Sequence, residues 1–206
     1  NINNLTYRII LNYKNKKISF ILDYNQLEKV NNFLICILFF IHNKIAIKNL
    51  TSMTETVPLI EGRGLQNQIT FNHKKIILID ESYNASPQAM KSSINYIKNF
   101  KINENKKKFL ILGEMLELGE NALKFHIDLL NYILDKKLDN VIICGELMKI
   151  ALKNVNNANI TCIMNIKSIL TYLKKKVSNN DVLLIKGSNS SLTSKLAKDL
   201  LISEVE

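Results

Sequence analysis

From Ile76 onward, short apolar runs rich in β-branched residues alternate with amphipathic stretches of helical period, and no other feature constrains the fold as strongly. The predicted strands are Ile76 to Asp80, Phe109 to Leu112, Val141 to Cys144, Ile160 to Ile163 and Val182 to Lys186. The predicted helices between and after them are Pro87 to Phe100, Asn121 to Leu134, Glu146 to Lys153, Lys167 to Lys175 and Leu192 to Leu201. Such alternation implies right-handed βαβ crossovers and a mostly parallel sheet covered on both faces, a Rossmann-like α/β fold.

The region before Gly64 reads differently. Tyr7 to Tyr13 and Ile18 to Tyr24 are β-rich runs around a polar stretch, which predicts a hairpin. Leu27 to Ile41 is an apolar helical segment, and Ile45 to Met53 a shorter helix or turn. A helix apolar all round needs cover on more than one side, and a block this small does not supply it. Residues 1–59 are therefore expected to be the tail of a domain that begins upstream, consistent with a first residue, Asn1, that is not Met. Pro58, Gly62 and Gly64 punctuate the boundary, and residues 60–206 form the α/β domain.

The formal charge of +10 would by itself suggest a polyanionic partner. The positive residues are almost all Lys, accompanied by abundant Asn and Ile, and no basic stripe is interleaved with aromatics. A solvated, composition-driven basic surface is the expectation, with no nucleic-acid partner. Cys36, Cys144 and Cys162 lie far apart in apolar runs without metal-ligand spacing, as buried thiols in a reducing compartment would. Phe33 to Ile41 falls well short of the ~20 apolar residues a bilayer requires, and no signal segment is visible. A cytoplasmic, monomeric protein without membrane association is expected.

In open α/β sheets ligands bind beyond the carboxyl ends of the strands, so the loops there carry the candidate chemistry. In IDESYNASP, Asp80 can accept hydrogen bonds from a ribose diol, and Tyr83, Asn84 and Pro87 offer flat faces to a purine. The same segment also reads as an ordinary turn in which Asn84 or Ser86 caps a helix ahead of Pro87. GEMLELG carries Glu114 and Glu117, suited either to an ammonium group or to the dipole of a helix N-terminus. IKGSNSS places Lys186, Gly187, Ser188 and Asn189 where an anion could settle before the last helix. Neither GxxxxGK[ST] nor GxGxxG occurs, so this chain has no loop for the β and γ phosphates of ATP.

Taken in order, GRG (Gly62 to Gly64), IDESYNASPQAM, LILGEMLELGE, VIICG and LLIKGSNS resemble the C-terminal domain of the Mur ligase family. The resemblance is strongest to the branch that adds D-alanyl-D-alanine to UDP-N-acetylmuramoyl-tripeptide, and those two molecules are the substrates it implies. It covers Gly62 to the C-terminus well and reaches weakly upstream through Lys29 to Leu34.

The resemblance implies an ATP-dependent amide ligase. Asp80 matches the carboxylate that holds the ATP ribose; Tyr83, Asn84 and Pro87 match the segment on adenine; and Arg63 matches the junction arginine that reaches toward the nucleotide. Lys186, Gly187 and Ser188 match the turn facing the acyl and amino substrates, with Lys186 and Ser188 the catalytic candidates. Glu114, Glu117, Gly187 and Asn189 are the substrate-binding candidates. The family's phosphate loop, Mg²⁺ ligands and modified lysine would lie upstream, so no metal ligand is expected here. Two departures stand out: Glu28 where relatives often have His, and Asn189 where many have Arg, a change that removes a bidentate anion donor. His126 also fits a family position, although a lone helical His is more often structural. Other readings are a stand-alone nucleotide-binding module, or a ligase of another Mur or folylpolyglutamate type.

Overall fold

The computed structural model describes residues 6–13, 16–23, 30–46, 60–155 and 159–202. The chain divides into two compact units, Asn1–Leu59 and Ile60–Glu206. In the first, strands β1 (Thr6–Tyr13) and β2 (Lys16–Asp23) form the antiparallel hairpin anticipated from their β-rich runs, in register from Thr6 opposite Asp23 to Tyr13 opposite Lys16. Helix α1 (Val30–His42) buries Ile37, against which Ile9, Leu11, Ile18, Phe33 and Phe40 pack. The expected helix start at Leu27 and most of the Ile45 to Met53 segment lie outside the described residues.

The second unit is a six-stranded sheet ordered β3-β4-β8-β5-β6-β7. Its strands are β3 (Leu65–Phe71), β4 (Lys74–Glu81), β5 (Lys108–Leu112), β6 (Asn140–Ile143), β7 (Ile160–Cys162) and β8 (Val182–Lys186). All neighbours pair in parallel except β3, which runs antiparallel to β4 on the edge. The helices are α2 (Pro87–Asn99), α3 (Ala122–Lys136), α4 (Glu146–Lys153), α5 (Ile166–Lys176) and α6 (Leu192–Ile202).

The five strands and five helices expected after Ile76 appear within about two residues of their predicted ends, the usual uncertainty of element boundaries. Strand β3 is the addition. Leu65, Asn67, Ile69 and Phe71 alternate with Gln66, Gln68 and Thr70, so the period of two was present, but polar Asn67 interrupts the apolar face. Asn72 and His73, both with positive φ (49° and 60°), make the tight turn that folds β3 back on β4.

The order of the strands fixes the layers. The chain moves outward from β4 through β5 and β6 to β7, then returns to place β8 between β4 and β5. Because parallel crossovers keep one hand, reversing the direction of travel moves the connecting helix to the other face. One core accordingly joins Ile79, Leu110, Val141 and Leu184 to Met90 and Ile94 of α2, Leu130 of α3 and Met148 of α4. The other joins Leu78, Phe109, Ile142 and Leu183 to Ile169 and Leu173 of α5 and Leu196 and Leu200 of α6. Strand β8 is buried along its whole length, as its uninterrupted apolar run requires when both faces are covered.

Candidate functional site

The insertion of β8 brings the ends of β4, β8 and β5 side by side. Asp80 pairs with Ile185, Glu81 with Lys186, and Lys186 in turn with Leu112. All three candidate loops therefore leave the same edge of the sheet. The pleat sends Asp80 to the face of Ile76 and Leu78, and Glu81 and Lys186 to the opposite one. Asp80 and Lys186 thus share an edge while their side chains occupy its two sides.

Asp80 is only 2% exposed, and its Oδ1 accepts a hydrogen bond from the Ser82 amide at 3.0 Å. Its carbonyl accepts from the Gly64 amide at 2.7 Å, and the Gly62 carbonyl accepts from the Tyr83 amide at 3.1 Å. These bonds lay the Ile60 to Gly64 turn against the loop after β4. Gly62 has φ +74° and the Tyr83 backbone lies 2.9 Å from where a Cβ would stand, so both conformation and space call for glycine. The guanidinium of Arg63 stacks 4.5 Å above the half-exposed Tyr83 ring. Of the two capping possibilities, Ser86 is realised: its Oγ accepts from the Ala89 amide, with Pro87 in the first turn of α2. Asn84 is exposed, and its side-chain oxygen accepts from the Ala85 amide.

Lys186 is buried. Its ammonium donates to Glu81 Oε2 at 3.0 Å and to the Asn84 carbonyl at 3.1 Å. Ser93 Oγ of α2 lies 3.4 Å from the same Oε2, with the Ala89 carbonyl, at 3.1 Å, the nearer acceptor for its single proton. Reading the sequence for strand-end chemistry singled out Asp80 and Lys186 and passed over Glu81. The available signal was two consecutive carboxylates at a strand end, of which the pleat allows each face only one.

The turn after β8 is stitched to the loop after β5. The Gly113 amide donates to the Lys186 carbonyl at 2.7 Å, the Ser188 amide to the Glu114 carbonyl at 3.1 Å, and the Leu116 amide to Ser188 Oγ at 3.0 Å. A Cβ on Gly187 would run into Thr193 Oγ1 and approach Gly113 Cα to 3.1 Å, so this contact between loops needs glycine. His126, fully buried, accepts from the Met115 amide at Nε2 (3.0 Å) and contacts the Ala122 carbonyl through Nδ1 (2.7 Å). Those partners assign the proton to Nδ1 and give His126 a structural role, fixing the loop from beneath.

The remaining candidates separate. Glu114 Oε1 accepts from the Leu147 amide at 2.7 Å, so its carboxylate caps α4. A dipole role was one of the two readings of this loop, but the helix served is α4 and not the one that follows the loop. Glu117 is exposed at φ +62°. Asn189 is exposed and accepts from Ser194 Oγ at 3.2 Å at the start of α6. Cys144, at the end of β6, has its thiol pushed up to about 12 by burial and then by the Glu114 carboxylate and Cys162, so it is no thiolate nucleophile. Among the described residues no group of three His, Cys, Asp or Glu side chains is placed to hold a metal ion. No helix among them is long and apolar enough to cross a membrane.

A doubly covered, mostly parallel sheet, with a buried Lys-Gly-Ser turn after the inserted strand β8, defines a Rossmann-like α/β domain. Residues 68–189 match the family described as "Mur ligase, glutamate ligase domain", and the chain belongs to that family. It is 32% identical over 133 residues to the UDP-N-acetylmuramoyl-tripeptide--D-alanyl-D-alanine ligase of Rickettsia prowazekii, covering 64% of this chain and 28% of that protein. The enzyme of the same name from Buchnera aphidicola (subsp. Acyrthosiphon pisum) is 28% identical over 191 residues, covering 90% of this chain and 39% of that one. A crystal structure of MurF from Acinetobacter baumannii superposes with a TM-score of 0.78 at 19% identity, over 98% of this chain and 44% of that one, a likeness of fold. The chain thus spans roughly a third of the length of these curated relatives, between 28% and 39%.

Proposed function

We propose that this chain is the part of an ATP-dependent amide ligase that holds the nucleoside of ATP and faces the incoming amine. The enzyme would add D-alanyl-D-alanine to UDP-N-acetylmuramoyl-tripeptide in peptidoglycan synthesis, in the cytoplasm and as a monomer. The observation that carries this reading is the convergence of the loops after β4, β5 and β8 on one edge, with Lys186 and Glu81 in register. The names of the relatives support the substrate pair.

In this reading Asp80 takes the ribose, and Tyr83, with Arg63 on its ring and Asn84 and Pro87 beside it, lies against adenine. Lys186, Gly187 and Ser188 line the approach of the substrates, with Glu114, Glu117 and Asn189 around them. The base has a fitting surface in the half-exposed stack of Arg63 on Tyr83, whereas Asp80 is 2% exposed with Oδ1 engaged by the Ser82 amide, so a ribose would have to reach its other oxygen. The triphosphate and Mg²⁺ do not fit: the phosphate-loop spacing is missing and no described cluster can ligate a metal. No step through them is assigned to these residues. Residues 1–59 would belong to the domain that supplies those groups. What this chain contributes is position: a rigid edge that sets the angle between base, acyl group and amine.

Replacing Asp80 by Ala in the complete ligase tests this function. The KM for ATP is expected to rise much more than that for D-alanyl-D-alanine, and equal effects on both would remove the ribose role. Purified alone, the present chain is expected to form no amide bond, and turnover by it would overturn the division of labour.

A further inference from the structure

Lys186 has three N–H donors, and two are already engaged, by Glu81 Oε2 at 3.0 Å and the Asn84 carbonyl at 3.1 Å. Its side chain is 4% exposed, so it is not a free cation waiting at the surface. Glu81 is bounded in turn. Ser93 Oγ lies near the same Oε2, and Gly64, at φ +87°, passes so close to Oε1 that a Cβ there would stand 2.9 Å away. The Gly64 amide donates to the carbonyl of Asp80, the residue before Glu81, which secures that approach. The carboxylate is therefore flanked by the 60–64 turn, by α2 and by the end of β8, with a quarter of the side chain left exposed.

We propose that Glu81 is a positioning residue for Lys186. It balances the buried ammonium and fixes its direction, leaving a single N–H for a substrate oxyanion at the turn after β8. The substrate part of this inference rests on the ligase reading above; the tether between Glu81 and Lys186 does not. A surface lysine would search many rotamers before meeting an anion, whereas a buried lysine with two fixed partners is already aimed.

The test is amine acetylation of the full chain, followed residue by residue by mass spectrometry, in the wild type, Glu81→Gln and Glu81→Asp. Glu81→Gln keeps the shape and removes the charge, so labelling of Lys186 is expected to accelerate several-fold while the other lysines keep their rates and report an intact fold. Glu81→Asp restores charge with a shorter reach and is expected to fall between the two. If Glu81→Gln does not fold, Glu81→Asp carries the test alone, with a rate above wild type. A wild-type rate at Lys186 in the folded variants overturns the proposal. In the complete ligase, Glu81→Gln is expected to lower kcat with little change in KM for ATP, and Glu81→Asp to recover part of it; unchanged kcat in Glu81→Gln overturns the substrate part. Absence of amide formation by the wild-type enzyme would instead remove the ligase reading and leave the labelling result standing.

Discussion

Glu81 and Lys186, 105 residues apart in sequence, are register partners at the ends of two parallel strands and form a 3.0 Å ion pair. A pair so placed does two things. It joins the first and last loops of the candidate site, and it makes each charge depend on the other for solvation, since removing one partner of a buried pair leaves the other uncompensated.

Glu81→Ala is therefore expected to destabilise the chain by about 2 kcal/mol, below the usual range for buried pairs because the carboxylate is a quarter exposed. Adding Lys186→Met should restore much of that loss. Denaturant unfolding of the single and double variants measures both, and additive losses would show that the two residues are not coupled.

Ser188 is expected to act through the backbone of the neighbouring loop. Ser188→Ala leaves the Leu116 amide without its acceptor, at a cost of about 1–2 kcal/mol. Hydrogen exchange at Leu116 should quicken, while the centre of β5 keeps its protection. Unchanged exchange at Leu116 would mean that the bond contributes nothing to holding the loop.

Gly187→Ala should be among the most damaging single-methyl additions in the domain, by about 2 kcal/mol or more, because the new Cβ meets Thr193 Oγ1, Ser191 Oγ and the Gly113 backbone. In a Thr193→Ala background the further cost should shrink. A thermal shift of equal size in both backgrounds would place the strain elsewhere.

Cys144 supplies the pH prediction. Its thiol is raised from the ordinary value near 9 to about 12, so between those values the folded chain holds a proton that the unfolded chain releases. Stability is full below pH 9 and falls as pH rises toward 12, by on the order of 1 kcal/mol at pH 10 from this group. Cys144→Ala should flatten that part of the profile. Of the three thiols expected to be buried, only Cys144 is: Cys162 is partly buried and Cys36 is exposed, so in native protein a thiol reagent is expected to modify Cys36 quickly and Cys144 only on unfolding; equal rates would contradict the burial.

The alternation of apolar runs and amphipathic stretches made the α/β class and ten of the elements after Gly64 legible, because a strand or a helix announces its period locally. Strand β3 escaped that reading because Asn67 occupies its apolar face, and sheet membership was what made the segment a strand. The rule that strand ends carry the chemistry singled out Asp80, Tyr83, Lys186 and Ser188, and the structure places them at and just beyond the carboxyl ends of the neighbouring strands β4 and β8. That Glu114 serves the start of α4, or that His126 holds the Met115 amide, could not be read from spacing, since each partner lies on another segment.

The sequence by itself determined the five strands and five helices that follow Ile76 and which loops carry polar side chains, all consequences of period and local chemistry, whereas β3 became a strand only through its pairing with β4. Only the tertiary structure decided that β8 enters between β4 and β5, and with that choice Lys186 met Glu81 while Asp80 turned to the other face. The physical reason is that strand order and register follow from packing both faces of the sheet at once, a non-local sum in which a shift of one residue would reverse every side chain at the edge.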